Sequence, residues 1–370
     1  MLRTFFARPA KRAIRPTRIG GHFTSRLYSI LFCGADEFSI YSLRAVHRLL
    51  DRTLDKVQSI EVVCRPAKRV GRGLQEIQEP PIKSVAEELS LPVYQLDTFT
   101  GWKPRRTPDL IIAVSFGLLI PARLLREAKY GGLNVHPSLL PDLRGPAPIQ
   151  HALLKGRTHT GVSLQDMHHT KFDHGKILDQ MQLAIPEDCT VEHLIDTLGP
   201  IGASMLQNII LRDLKASPLP ISGADASQGE LEHAPKITPE DRHIDWSTWT
   251  SDKILRYDRV LGRLWDRTTY QYCHGKPQEA KRITFEGPWR RIVGKELLEF
   301  HTDWPRLPGR PTLNYKQKKP MIGVWTVDES LLAPSYATVE GGKPRTALAG
   351  LRNLILKHSE LSKVRTSQTS

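Results

Sequence analysis

The run Leu110-Ile111-Ile112-Ala113-Val114 has no polar residue at any position. A strand with one wet face alternates apolar and polar residues, so an unbroken apolar run marks a strand covered on both faces. Such strands sit at the centre of parallel sheets with helices on either side. The neighbouring segments supply the rest of that arrangement. Tyr28 to Cys33 reads as a buried first strand ending at Gly34, and Ser59 to Val63 as a second. Between them, Phe38, Tyr41, Ala45 and Leu49 are spaced three or four apart, which predicts a helix over 37–50. A helix over 83–89, a short strand over 92–96 and a strand over 133–136 continue the alternation. The expected fold is α/β: a doubly wound, mostly parallel sheet with its site at the carboxyl ends of the strands.

Farther along, Ala147 to Lys155 reads as helix, and 161–167 and 176–185 as strands. Val191 to Leu214 reads as helix interrupted at Gly199-Pro200. Residues 64–81 carry Pro66, Gly71, Gly73, Pro80 and Pro81 and read as loop. Ala216 to Pro235 is rich in Ser, Pro, Gly and Ala and reads as a linker. Short strands with turn residues follow, predicting a second, β-rich domain, and 359–370 reads as a polar tail. The domain expectation is therefore 1–28, 29–215, 216–235, 236–358 and 359–370.

The 370-residue chain carries a net charge of +14, and half of it lies in residues 1–28. That stretch holds Arg3, Arg8, Lys11, Arg12, Arg15, Arg18 and Arg26 with no acid. Basic, acid-free and Ser/Thr-interspersed, it has the character of a mitochondrial transit peptide, with a cut expected near Ser29. A basic tail that binds nucleic acid is the alternative reading. The four cysteines are far apart and form no Cys-x-x-Cys pair, which predicts neither a disulfide framework nor a zinc site. No apolar run of about 18 residues is evident, so no membrane partner is expected. Neither Gly-x-Gly-x-x-Gly nor a P-loop occurs, so the fold does not imply NAD or a nucleoside triphosphate.

The chemistry concentrates in Leu133 to Ile149. Asn134 and His136 are two apart in a strand, so their side chains share a face. A turn punctuated by Pro137, Pro141 and Gly145 follows, and Phe172-Asp173-His174-Gly175 offers a carboxylate downstream. An amide donor, an imidazole and a carboxylate suit attack of a neutral amine on an acyl-like carbon. Alone, each has a plainer reading. A histidine at a strand end is commonly structural, an asparagine caps turns, and Asp before Gly is an ordinary turn signal.

Taken in order, Asn134-x-His136-x-Ser138-Leu139-Leu140-Pro141 and Asp173 resemble the 10-formyltetrahydrofolate-dependent formyltransferases. Arg144-Gly145-x-Ala147-Pro148-Ile149-Gln150 resembles their methionyl-tRNA branch in particular. Phe32-Cys33-Gly34-Ala35-Asp36-Glu37-Phe38, Gly71-Arg72-Gly73, Val114 to Pro121, and Ile244-Asp245-Trp246 agree in order. The similarity runs from about Ser29 to about Leu354 and is weakest over 267–334. Pro137 stands where the family commonly has Ala or Gly.

This resemblance implies Asn134, His136 and Asp173 as the catalytic group. It implies 10-formyltetrahydrofolate as co-substrate, held by Ser138, Leu139, Leu140 and Pro141 with Phe116, Gly117 and Leu118. It further implies initiator methionyl-tRNA as partner, contacted by Arg65, Lys68, Arg69, Arg72 and Arg144, and a C-terminal barrel like an oligonucleotide-binding fold. A second basic group, Arg306, Arg310, Lys316, Lys318, Lys319, Lys343, Arg345, Arg352 and Lys357, would face the tRNA body. The expectation is a monomer in the mitochondrial matrix, with no metal. Two other readings remain at this point: a formyltransferase for a small amine, such as an amino sugar or glycinamide ribotide, and a folate- or RNA-binding protein without turnover.

Overall fold

The computed structural model describes residues 27–50, 56–71, 73, 75–212, 231–274, 280–300, 305–314 and 320–351. The expected leader (all but Leu27 and Tyr28), Arg72, most of the linker, Lys316, Lys318, Lys319, Arg352, Lys357 and the tail lie outside the described residues.

The N-terminal part contains, in order, β1 (Tyr28–Gly34), α1 (Glu37–His47), β2 (Val57–Cys64), β3 (Lys68–Val70), β4 (Glu76–Gln78), α2 (Pro81–Glu88) and β5 (Val93–Gln95). It continues with β6 (Leu110–Val114), α3 (Ala122–Glu127), β7 (Gly132–His136), α4 (Pro148–Leu154), β8 (His159–Asp166), β9 (Ile177–Ala184) and α5 (Val191–Leu211). Seven strands form one sheet in the order β5-β2-β1-β6-β7-β8-β9. The first five run parallel, and β8 and β9 add antiparallel edges. The apolar run of β6 divides between two cores. Leu110, Ile112 and Val114 join the core under α1 and α5, while Ile111 and Ala113 join the one under α3. That division is why no position in β6 can be polar. The chain steps from β1 outward through β2 to β5, then returns to place β6 on the other side of β1. The strand order therefore reverses between β1 and β6, and a crevice opens there at the carboxyl ends.

Two segments of this part differ from the sequence expectation. Within the expected loop over 64–81, β3 and β4 pair as an antiparallel hairpin, Lys68 opposite Gln78 and Val70 opposite Glu76. Its faces are largely exposed, so no hydrophobic alternation announced it. Helix α5 is continuous through Pro200. It is long and apolar enough by composition to cross a membrane, yet it buries Leu194, Leu198, Leu206 and Ile210 in the main core. Tertiary packing thus overrides the local Gly-Pro signal. Gly199 lets α5 approach α1: an added Cβ would come within 2.3 Å of the Tyr41 ring. The Tyr41 hydroxyl donates to Asp196 on the same helix at 2.8 Å.

The C-terminal part is β-rich, as expected, but also holds two helices the sequence reading did not place. It comprises α6 (Ser251–Leu261), β10 (Leu264–Asp266), α7 (Thr268–His274), β11 (Ile283–Glu286), β12 (Arg290–Ile292), β13 (Pro311–Asn314), β14 (Met321–Trp325), β15 (Leu331–Ala333), β16 (Tyr336–Val339) and β17 (Arg345–Thr346). These strands form two four-stranded sheets, β10-β11-β16-β17 and β12-β15-β14-β13. Trp246, Phe285 and Trp289 fill the core between them. The buried Asp266 carboxylate is satisfied by Trp246 Nε1 at 2.8 Å and by the amide and hydroxyl of Thr269.

Gly199→Val should force α1 away from α5. Overpacking of this kind costs about 1–3 kcal/mol, which urea unfolding of the variant beside the parent would read directly.

Candidate active site

A cavity of about 410 Å³ opens at the carboxyl ends of β1, β6 and β7. Each wall comes from a different strand end. Beyond β1 lie Asp36 and Phe38; beyond β6, Ser115 to Ile120; on β7, Asn134 and His136; and from the β8–β9 connection, Lys171, Phe172 and Asp173. Asn134 and His136, paired by strand period, and Asp173, added by the family resemblance, do face one space. Phe116, Gly117 and Leu118 also line it.

His136 is 5 % exposed. Its Nε2 lies 3.0 Å from the carbonyl of Leu143 and must donate to it. Its Nδ1 is 3.4 Å from Asp173 Oδ1. Both neighbours are acceptors, so only the doubly protonated ring offers each a hydrogen. At 3.4 Å the Nδ1–H can be shared with a substrate oxygen. Asn134 Oδ1 is buried and has no hydrogen-bond partner among the described residues. An orphaned buried acceptor facing a cavity is a place for a ligand's donor.

Asp173 adopts a left-handed backbone, φ +53°. Asp tolerates this region better than most residues, so the plain turn reading and the catalytic one hold together. Its Oδ2 accepts from the Gly145 amide at 3.0 Å and its Oδ1 from Gln165 Nε2 at 3.2 Å. Arg144 Nε donates to its backbone carbonyl at 2.8 Å. Three non-glycine residues around the cavity, Ser115, Leu143 and Asp173, have positive φ. Such strain collects where surrounding contacts over-determine the backbone.

Several expected ligand residues occupy other places. Ser138, Leu139, Leu140 and Pro141 are not on the cavity wall. They form a tightly bonded turn beneath it. Ser163 Oγ donates to the Ser138 carbonyl at 2.7 Å and accepts from Leu140 N at 3.0 Å. Gln180 Nε2 donates to the Leu140 carbonyl at 2.9 Å. Arg144 braces Asp173 from behind and is likewise absent from the wall. Arg65 stands at the foot of the β3–β4 hairpin and pairs with Asp97 at 3.1 Å. Lys68 and Arg69 lie exposed on β3. In the C-terminal part, Arg306 covers the Trp325 ring at 4.9 Å, while Lys343 and Arg345 are exposed.

The sequence reading missed Gln165, Asp36, Ser115, Phe172 and His233. A signal for Gln165 existed. In β8, Ser163 and Gln165 alternate with Val162 and Leu164 and are buried. Two polar residues on one buried face must be bonded to something. Here they hold the β7 turn and Asp173. His233 belongs to the expected linker, but residues 231–235 run against the catalytic loop. Leu143 N donates to the Glu232 carbonyl at 2.8 Å, Ala234 N to the Arg144 carbonyl at 2.7 Å, and Ala147 N to the Ala234 carbonyl at 3.2 Å. Glu232 also pairs with Lys155 and Arg157.

Gly145 is the tightest point of this contact. Its φ is +123°, and a Cβ there would fall 2.5 Å from the Ala234 carbonyl oxygen. Gly145→Ala should push 231–235 outward and pull the Gly145 amide off Asp173. Misplacement of about 1 Å can cost on the order of 10²-fold in turnover. Amide exchange should rise over 231–235 while the thermal midpoint of the sheet domain stays close to that of the parent.

Residues 30–210 match the family described as formyl transferase. The chain is 34% identical over 304 residues to the mitochondrial methionyl-tRNA formyltransferase of Saccharomyces cerevisiae, spanning 68% of this chain and 75% of that protein. It is 34% identical over 242 residues to the human mitochondrial enzyme, spanning 64% of this chain and 58% of that one. Against the Geobacillus thermodenitrificans methionyl-tRNA formyltransferase the identity is 36% over 226 residues, spanning 59% and 67%. Joined to a cavity that collects Asn134, His136 and Asp173, this extent of identity means that the chain belongs to the methionyl-tRNA formyltransferase family.

Proposed function

We propose that this protein transfers the formyl group of 10-formyltetrahydrofolate to the α-amine of methionyl-tRNA. The observation that carries the reading is the meeting of Asn134, His136 and Asp173 around one cavity in a chain of this family. The cavity suits a folate co-substrate. Its volume falls in the range of small-molecule sites, and Phe116 to Ile120 give it one largely apolar wall. Bound there, the folate supplies the formyl carbon.

The chain's own groups then divide the work. Asn134 Nδ2 and the shared Nδ1–H of His136 donate to the formyl oxygen as negative charge develops on it. The orphaned Oδ1 of Asn134 accepts from the attacking amine and aligns it. Asp173, fixed by Gly145 and Gln165, orients the His136 ring and receives the proton the amine loses on bond formation. Ser138 to Pro141 serve as the support of this wall. Lys68 and Arg69 offer a basic hairpin strand to tRNA phosphates. The two antiparallel C-terminal sheets support a small barrel of the oligonucleotide-binding kind as a second contact, with 29–215 as catalytic unit and 236–358 as tRNA-facing unit. Residues 1–28 would direct the protein to the mitochondrial matrix, in keeping with the mitochondrial relatives.

Labelled 10-formyltetrahydrofolate offered with methionyl-tRNA, with amino sugars and glycinamide ribotide, and alone tests the reading. Label should pass to the tRNA substrate only; transfer to the small amines alone would replace the proposal. Asn134→Ala, His136→Ala and Asp173→Ala should each lower turnover by on the order of 10²- to 10⁴-fold.

Neutralising Lys68 and Arg69 together should reduce kcat/KM for tRNA and flatten its logarithmic salt slope by roughly 0.7 to 0.9 per lost phosphate contact. Folate affinity should not change. A salt slope equal to the parent's would make the hairpin a solvated surface.

A further inference from the structure

Asp36 is the one acid at the strand-order reversal that the transfer scheme leaves unused. It follows β1, on the side of the crevice opposite Asn134 and His136, and lines the same cavity. Its Oδ1 accepts from the Ser39 amide at 3.1 Å and caps α1. Ser115, just beyond β6, lines the same cavity. β1 and β7 flank β6 in the sheet, with Gly34 beside Val114 and Ala113 beside Asn134. Two strand spacings separate them, about 10 Å. That distance fits a chain of contacts: donor to formyl oxygen, formyl carbon to attacking nitrogen at about 3 to 3.5 Å, and nitrogen to a second acceptor at about 3 Å.

We propose that Asp36 receives the α-ammonium of the aminoacyl acceptor and takes its first proton before transfer. The inference rests on the formyl-transfer reading and supplies a step which that reading lacks. An α-amino group has a pKa near 7.7 to 8.0, so the acceptor enters mostly as ammonium, which has no lone pair. One N–H bond breaks to the Asp36 carboxylate, which later releases that proton to solvent. The freed pair forms the bond to the formyl carbon. The bond from formyl carbon to folate nitrogen breaks, and the second amine proton reaches that nitrogen through Asp173 and His136.

The surroundings of Asp36 agree. Burial pushes its carboxyl up to about 6, against the opposing hydrogen bonds from Ser39 and Ser115 and with help from Glu37. A base near 6 accepts a proton from such an ammonium more readily than an ordinary Asp near 3.9. On α2, Ile82 packs against the end of β1. The titratable groups across the cavity are His136, Asp173, Asp166, His168 and Lys171, with His233 at the 231–235 edge.

Asp36→Asn and Asp36→Ser separate this role from the helix cap, because Asn and Ser cap helices as well as Asp. Both variants should keep the thermal midpoint of the parent. The experiment is kcat/KM for methionyl-tRNA, at saturating 10-formyltetrahydrofolate, from pH 6 to pH 9. Either variant should fall roughly tenfold per pH unit below the amine pKa, losing on the order of 30-fold or more at pH 6. Near pH 9, where the free amine enters unaided, it should come within a few-fold of the parent, with the KM for folate unchanged throughout. A profile parallel to the parent's, or a raised folate KM in place of the pH effect, would overturn the proposal. Asn134→Ala in the same assay tests the underlying reading separately. Full activity there would remove the formyl-transfer site itself, whatever Asp36 does.

Discussion

The contact between residues 231–235 and the loop over 142–147 holds the catalytic arrangement together. His136 needs the Leu143 carbonyl, and Leu143 sits at φ +54° with its amide bonded to Glu232. Asp173 needs the Gly145 amide and Arg144 Nε, and the intervening backbone is clamped by Ala234. Both partners of the His136–Asp173 pair are therefore oriented by one loop whose outer edge is bonded to a distant segment. Without that edge, three buried or half-buried polar groups of the loop would lack protein partners, each worth about 0.5–1.5 kcal/mol net and more if left unmet. The strain at Leu143 would then have nothing to hold it.

Beneath the loop, the sheet fixes where the groups can meet. β6 is apolar on both faces because it separates two cores, and this places the functional residues at its end and on its neighbours. The β8–β9 edge adds a second kind of control. Ser163, Gln165 and Gln180 put polar groups on a buried face, where each finds a backbone or carboxylate partner around the β7 turn. Ser163 Oγ donates to the Ser138 carbonyl and accepts from Leu140 N and Gln180 Nε2, which uses its one hydrogen and both lone pairs. These residues act on position, since none of them needs to touch the reacting atoms.

Much of this was legible in the amino-acid order. The parallel strands are continuous apolar runs, α1 has three-and-four spacing, and Asn134 and His136 share a face by period alone. What escaped was non-local. The β3–β4 hairpin exposes both faces and leaves no alternation to read. Pro200 is a local breaker inside α5, but the Tyr41 approach at Gly199 and the buried Leu194, Leu198 and Leu206 hold the helix through it. Ser138 to Pro141 carry a strong pattern, but their bonds to Ser163 and Gln180 come from β8 and β9, which a local pattern does not reveal. Asp36 reads in sequence only as part of a strand-and-turn pattern, because its place on the cavity depends on β6 returning beside β1. Residues 231–235 looked like linker because their partners are about 90 positions away in sequence.

That last point changes where the catalytic unit ends. By composition it closes after α5, before the Ser/Pro/Gly-rich stretch. By hydrogen bonding it includes Leu231 to Pro235, with His151 Nε2 lying 2.9 Å from the Pro235 carbonyl on one side and Glu232 paired to Lys155 and Arg157 on the other. The C-terminal part also touches the catalytic one directly, since Arg259 of α6 reaches Asp188 at 3.0 Å. A surface pair of this kind contributes little by itself. The backbone bonds of 231–235 matter more, because they enter at the loop that carries Leu143 and Gly145. A load on the C-terminal part therefore reaches the loop that orients His136 and Asp173 through 231–235 and its backbone hydrogen bonds, and residues 231–235 belong to the active site as much as to the second domain.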